Sequence, residues 1–364
     1  MTVDSPKQES SLEPLIEEPD ESDLSLSRRL SSWRTVGSFV LAIVILGLVI
    51  LLGLKHGLNP QKIWNNLRHA NWWFVLAGFI VYYLTFPLRA FRWKLLLEGA
   101  YKDSPDIRVA DMHLSGLTQI IFISWFVNCV VPAKLGDLYR AYLAKLWQHI
   151  SWVKTVGTVV AERIVDLLVL AILLSASGLI AFQSHLGSIK IILILALALA
   201  AVGIVVLASI KNLGPYIQRI IPVRFRPRYQ ALEDGLIQSL TLRRLPIIIA
   251  ATIPIWLLEG LRIQYVFLAL GFSMSSVTSV PYLPYLFFAL GTAVLTTIPA
   301  TPGGLGIAQS GMAAVMVLLK GQSWVSHAVD VVILDSLLSY WSVALVGFLV
   351  YLLSKRSHFR AATA

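Results

Sequence analysis

A chain of 364 residues that is 57% hydrophobic and only 14% charged, with mean hydropathy +0.73, is not a water-soluble domain, where about 25% of residues carry charge. Cys129 is the only cysteine, which excludes a disulfide within one chain and a cysteine-based zinc site, and the seven histidines show no ligand spacing. The net charge of +10 sits in no basic motif of a soluble module, so no nucleic-acid partner is expected; the lone Cys and scattered His give no metal site, and without a Walker-type phosphate loop no cofactor is expected and an ATP-driven pump would need a separate partner.

The first segment, Met1–Ser27, carries eight Asp/Glu against one Lys and lacks the apolar core of a signal peptide. Residues 1–31 are expected to form a disordered acidic cytoplasmic tail. Without Met1–Ser27 the chain holds 29 Lys/Arg against 12 Asp/Glu, a net charge of +17, so the basic excess belongs to residues 32–354, the membrane domain. That excess suits the positive-inside rule and contact with anionic lipid head groups. Apolar runs long enough to span a bilayer follow in order: Val36–Leu54, Trp72–Leu88, Val156–Phe182, Ile189–Ile210, Leu245–Leu270 and Val329–Leu353. Leu114–Val131 and Leu283–Leu319 are apolar but interrupted. No strand-period alternation persists, so the fold class is all-α, a polytopic integral membrane helical bundle.

Lys and Arg set the topology. Arg28, Arg29 and Arg34 precede the first run, Arg89, Arg92, Lys94, Lys102 and Arg108 follow the second, and the Lys211–Arg244 connection holds seven more. Lys355, Arg356 and Arg360 mark a short cytoplasmic tail at residues 355–364, so both termini read as cytoplasmic. The connections Gln183–Ser188 and Gly271–Pro281 lack Lys and Arg and face out. Trp72 and Trp73 read as outer anchors and Trp93 as an inner one. This assignment makes Met112–Ser151 enter and leave on the inner side, and Leu283–Lys320 on the outer side. Each contains a helix break, Val131-Pro132-Ala133-Lys134-Leu135-Gly136-Asp137 and Ile298-Pro299-Ala300-Thr301-Pro302-Gly303-Gly304-Leu305-Gly306. The reading is six full spans plus two re-entrant helical hairpins, eight hydrophobic segments in all; eight plain spans is the alternative. The breaks share Pro-Ala-x-x-Gly, a pseudo-inverted repeat of the kind that transporters place at mid-membrane, where ordinary packing kinks are the competing explanation.

Ionisable residues inside apolar runs are the next signal. Glu162, Arg163 and Asp166 lie near the start of one span, Glu259 and Arg262 at i, i+3 within another, and Asp335 about two turns into the last. Facing lipid, each would cost about 2.5–3.5 kcal/mol on the lenient scale, so they face the interior, either as internal salt bridges or as a polar path. Glu162, Asp166, Glu259 and Asp335 are candidates for charge pairing or proton coupling. At the first break Lys134 and Arg140 place positive charge beside free backbone N–H groups, a setting for phosphate, while Asp137 suits a helix N-terminus as a cap. Gly136, Pro302, Gly303, Gly304 and Gly306 allow backbone to approach a ligand. Asn128 reads first as a hydrogen bond between helices and second as a substrate contact.

Three stretches carry a resemblance to a known family: Asn128–Leu143, with Val131-Pro132-Ala133-Lys134-Leu135-Gly136-Asp137 at its centre; Val160-Ala161-Glu162-Arg163-Ile164-Val165-Asp166; and Ile298–Gly306. Through them the chain, over about Ser32–Ser354, resembles the flippase-like transmembrane region of lysylphosphatidylglycerol synthases. It departs from that pattern at Gln309, where the family often has an acid, and at Asp335-Ser336, where Asp-Arg is common. No soluble aminoacyl-transfer or glycosyltransferase domain follows the last helix, so a stand-alone, non-enzymatic member is expected. The resemblance implies movement between leaflets of a lipid with an anionic head group, or of a polyprenyl-phosphate-linked glycan, in the cell membrane. Lys134, Arg140, Arg163 and Arg262 would neutralise the phosphate, and the half-helix N-termini at Asp137 and Gly304 would add donors. The partners are the membrane lipid substrate and anionic lipids, with a homodimer and a separate lipid-modifying enzyme as further candidates. The alternatives are a membrane-embedded transferase using Glu162 and Asp166 as a metal pair, and a scaffold recruiting partners through its acidic tail.

Overall fold

The computed structural model describes residues 60–104, 107–131, 134–274, 280–297 and 301–362. The expected acidic tail, the apolar run Val36–Leu54 and the break residues Pro132, Ala133, Ile298, Pro299 and Ala300 lie outside the described residues. What is described is helical, with no strand among the described residues. The helices are α1 (Pro60–Arg68), α2 (Trp72–Ala100), α3 (Leu114–Val130), α4 (Leu135–Gln148), α5 (Trp152–Ala181), α6 (Leu186–Ile220), α7 (Arg226–Ser239), α8 (Leu245–Ala269), α9 (Leu283–Leu295), α10 (Ile307–Lys320), α11 (Val325–Ser336) and α12 (Ser342–Ala362). A π-helical segment, Leu337–Trp341, joins the last two.

Six stretches among the described residues are long and apolar enough to cross a membrane: Trp72–Ala100, Trp152–Ala181, Gln183–Ser209, Leu245–Ala269, Pro302–Lys320 and Gln322–Ser354. The protein is therefore an all-α polytopic membrane bundle. Large apolar side chains on its outside, such as Ile172, Ile191 and Leu353, are more than half exposed, as a surface facing hydrocarbon requires.

α2 and α8 run antiparallel. At one end the Asn71 N–H donates to Ala269 O at 2.8 Å. At the other, Arg244 donates to Leu95 O at 3.2 Å. These contacts define a Trp72 end and an Arg244 end. α3 and α4 form a hairpin that starts and finishes at the Arg244 end. Lys94 donates to Met112 O at 2.8 Å before the hairpin, and Tyr101 Oη to Ser151 O at 2.9 Å after it. α9 and α10 form a second hairpin that starts and finishes at the Trp72 end. There Met274 N–H donates to Tyr285 Oη at 3.1 Å, and Phe272 packs on Trp324 with centroids 6.0 Å apart. The helical limbs are 13–17 residues, about 20–25 Å of helix against a hydrocarbon core of about 30 Å; Pro302–Lys320 reaches spanning length only by including the kinked break at residues 302–306.

The first hairpin is closed by one glycine. Gly136 N–H donates to Asn128 Oδ1 at 2.8 Å and Gly136 O accepts from Ser124 Oγ at 2.9 Å. A Cβ on Gly136 would lie 2.0 Å from Ser124 O, so no other residue fits without parting the limbs.

Four sequence expectations change. The second span runs to Ala100, so Arg89 and Arg92 are not in a cytoplasmic loop but inside α2, 4% and 0% exposed. Trp93 is no interfacial anchor; it is fully buried and its Nε1 donates to Thr158 Oγ1 at 3.3 Å. The Lys211–Arg244 connection is mostly helix, because α6 continues to Ile220 and α7 packs back on α5, with Gly235 against Lys154 and Gly157 against Leu232. The last span starts at Val325, which puts Asp335 nearly three turns in.

Candidate functional site

The two hairpins meet at their tips. Tyr340, carried in by the π-helical segment, donates from its phenol to Cys129 O at 2.6 Å and has Pro302 O at 3.4 Å. A Cβ on Gly303, whose φ is 58°, would lie 3.5 Å from Asn128 O. Beside this junction is a cavity of about 390 Å³ lined by both hairpins and by α2, α5, α8 and α11.

Two ionic chains border it. The first runs Arg89–Glu259–Arg262–Asp335. Arg89 donates to Glu259 at 2.7 Å and Arg262 Nε to the same carboxylate at 3.2 Å, and Arg262 Nη1 pairs with Asp335. Aromatic rings hold the guanidiniums. Arg89 lies 4.7 Å from the Trp125 ring centroid and Arg262 5.1 Å from that of Tyr82. The second chain runs Arg140–Glu162–Arg92–Asp166–Arg163–Asp137. Arg92 bridges Glu162 (2.8 Å) and Asp166 (2.5 Å) and also donates to Thr252 at 3.2 Å. Arg140 reaches Glu162 at 3.1 Å and stacks 4.7 Å over Trp93. Arg163 grips Asp137 at 2.9 and 3.1 Å. Asp166 lies at the midpoint of the 30-residue α5, so this chain is at depth in the bundle.

Lys134, Asp137, Arg163, Asp166, Glu259, Arg262, Asp335, Asn128 and Gly303 line the cavity. Arg140 and Glu162 do not; they are 2% exposed behind its wall. Gly136, Pro302, Gly304 and Gly306 shape the breaks without lining it. Glu162 has Arg92 as its nearest partner, and Arg163 stands 3.9 Å away. Asp137 lies in the first turn of α4, but its carboxylate serves Arg163 rather than the helix end. The second half-helix begins at Ile307, three residues after Gly304, and its Gly306 N–H is taken by Gln309 Oε1 at 2.7 Å. Gln309 in turn donates to Ser336 Oγ at 3.3 Å, so the two departures from the family pattern are partners. Asn128 bridges the limbs of the first hairpin and faces the cavity as well.

Six cations (Arg89, Arg92, Lys134, Arg140, Arg163, Arg262) stand against five carboxylates (Asp137, Glu162, Asp166, Glu259, Asp335), a formal excess of one positive charge. Each carboxylate is held by at least one arginine, as low-dielectric burial demands. Among the described residues Lys134 is the cavity-lining cation that makes no ion pair. It also holds φ at 52°, a conformation costing a non-glycine residue about 1–2 kcal/mol.

Sequence reading missed Arg89, Arg92, Tyr82, Trp125, Trp256 and Tyr340. A signal existed for the arginines. Glu162, Asp166, Glu259 and Asp335 against Arg163 and Arg262 leaves two carboxylates without a cation, and buried carboxylates need one. Pro87 preceding Arg89 invites an early end to the span, yet Leu88, Ala90, Phe91, Trp93 and Leu95–Leu97 keep the stretch apolar.

The lysylphosphatidylglycerol synthase TM region family matches residues 38–347. A UPF0104 membrane protein of Methanocaldococcus jannaschii is 34% identical over 239 residues, which is 64% of this chain and 95% of that one. Another, of Pyrococcus horikoshii, is 22% identical over 86% of this chain and 97% of its own length. A Haloferax volcanii protein named glycosyltransferase AglD is 26% identical over 75% of this chain, a match covering 47% of that protein. No solved structure matches. The three motif stretches, the extent of the match and the identity with these relatives agree that the chain belongs to the family of lysylphosphatidylglycerol synthase transmembrane regions.

Proposed function

We propose that the protein moves a lipid with an anionic, phosphate-bearing head group between the leaflets of the cell membrane, with α3–α4 and α9–α10 acting as re-entrant hairpins from opposite faces. The observation that carries this is the cavity between the two tips, which is lined by Lys134, a cation with no ion-pair partner among the described residues, and is bordered by two ionic chains that, with Lys134, hold six cations against five carboxylates. A single anionic group entering there balances the site. Arg163, with a third of its side chain exposed, is the second cation able to reach it. Arg92, Arg140, Arg89 and Glu259 act as scaffold that keeps Arg163, Asp166 and Arg262 in place. Gln309 and Ser336, hydrogen-bonded to each other, also line the cavity and carry no charge. Acyl or prenyl chains stay in lipid.

Orientation follows from charge. Arg108, Lys145, Arg219, Arg224 and Arg243 gather at the Arg244 end, which is cytoplasmic under the positive-inside rule, and the last helix finishes there. A metal-dependent transferase fits less well, because the Arg92 guanidinium fills the space between Glu162 and Asp166 where a metal would be needed.

The test is reconstitution in liposomes with labelled phosphatidylglycerol, a lysyl-modified lipid and a prenyl-phosphate sugar, read in both directions. Movement of one class, lost in folded Arg163→Ala protein, is the expected result. No movement with turnover of a lipid-linked donor would establish the transferase instead.

A further inference from the structure

The Arg244 end carries a protrusion that the membrane does not account for. α6 is 35 residues long, about 52 Å, whereas a bilayer with its head groups is about 40–45 Å thick. Its apolar stretch ends at Ser209, so the turn into α7 lies about 16 Å beyond that point. Arg226 fastens the turn by donating to Ile221 O at 3.2 Å, and Gln218 ties α6 to α7 through Glu233 at 2.9 Å. On this foot Ile220 is 84% and Val223 72% exposed. Arg219 stacks on Tyr216 and Arg224 on Phe225, at 5.7 and 4.6 Å, and neither arginine makes an ion pair among the described residues. Apolar and cationic surface is thus interleaved beyond the apolar stretch of α6.

The chain contains a segment of matching chemistry. Between Asp4 and Asp23 lie eight Asp/Glu, interleaved with Leu12, Leu15 and Ile16. α1 sits at the Trp72 end, where Asn66 donates to Asp330 at 2.7 Å. If the apolar run Val36–Leu54 spans the bilayer once, as its length in the sequence implies, Met1–Thr35 lies on the side of the Arg244 end. The twelve residues from Asp23 to Thr35 reach up to about 40 Å, enough to meet the foot.

We infer that the acidic segment Asp4–Asp23 docks on the foot formed by Tyr216–Arg228, its carboxylates on Arg219 and Arg224 and its leucines on Ile220 and Val223. The foot is fastened to the site through α7, whose Gly235 and Leu232 pack on Lys154 and Gly157, one and a half turns before Glu162. This contact stands independently of the transport reading.

The experiment uses full-length protein, one chain per nanodisc of zwitterionic lipid, carrying Ser22→Cys with Val223→Cys; Cys129 is buried. A short bis-maleimide should link the pair. The yield should fall about tenfold at 1 M salt, where screening acts within about 3 Å, and equally in the Arg219→Glu/Arg224→Glu background. Ser22→Cys with Ser184→Cys, at the opposite end, should not link. A yield indifferent to salt and charge reversal overturns the proposal. So does an absence of linking with Val223→Cys shielded from soluble maleimide only in anionic-lipid discs, which would make the foot a lipid-surface element.

Discussion

The phenol of Tyr340 donates to the carbonyl of Cys129 at 2.6 Å, joining the last span to the tip of the first hairpin across 211 residues of sequence. Removing that hydrogen should loosen the junction without altering the packing of the ring. A hydrogen bond contributes about 1–1.5 kcal/mol net, so Tyr340→Phe is expected to raise the open population of the tip roughly tenfold. Cys129, the only cysteine, reports on it: its labelling by a small maleimide should accelerate by about that factor. An unchanged rate would mean that packing alone holds the tips.

Arg92 is the most demanding residue to replace. It is fully buried between two carboxylates, and its loss takes the nearest cation from both, leaving Glu162 to Arg140 at 3.1 Å and Asp166 to Arg163 at 3.4 Å. Arg92→Ala is expected to destabilise the protein by about 3–5 kcal/mol, visible as a large fall in thermal unfolding temperature in detergent. Stability near that of the parent would show that water or another cation compensates.

Lys134 behaves in the opposite way. Its backbone conformation suits glycine and its ammonium has no carboxylate partner among the described residues. Lys134→Gly is expected to keep stability or raise it by up to about 1 kcal/mol, since relief of the left-handed strain outweighs the added chain entropy. Movement of anionic lipid should nevertheless be lost. Retained movement would remove Lys134 from the proposed site.

Two glycines of the first hairpin separate fit from flexibility. Gly136→Ala forces a methyl to within 2.0 Å of Ser124 O and should prevent recovery of folded, monodisperse protein. Gly116→Ala meets only Gln148 Nε2 at 3.8 Å and should be neutral or stabilising by up to about 1 kcal/mol. Size-exclusion profiles of the two variants distinguish these outcomes.

Much of this architecture is legible in one sequence, because lipid imposes few solutions on the backbone. The apolar runs marked α2, α5, α6, α8 and the last span. The charge-poor connections gave the parity that sets the two hairpins at opposite ends. The i, i+3 pair Glu259–Arg262 was readable from spacing alone. What escaped notice depends on three dimensions. Arg92 meets Glu162 and Asp166 across 70 and 74 residues, and no local pattern announces such a pairing. Tyr340 points at the tips because a π-helical segment shifts the phase of the helix, and hydropathy is blind to phase. The length of α6 was hidden because Lys211 and the residues after it read as a loop, although the backbone continues helically to Ile220.

The tip-to-tip contact also has an electrical consequence. Where two water-filled approaches converge on a thin septum, the transmembrane voltage drops over that septum rather than over the full bilayer. Under the proposed orientation, an anion passing Tyr340 outward would cross the part of the field that falls over the tips. With the cell interior negative, that step is favoured by about 2.3 kcal/mol per unit charge for each 100 mV.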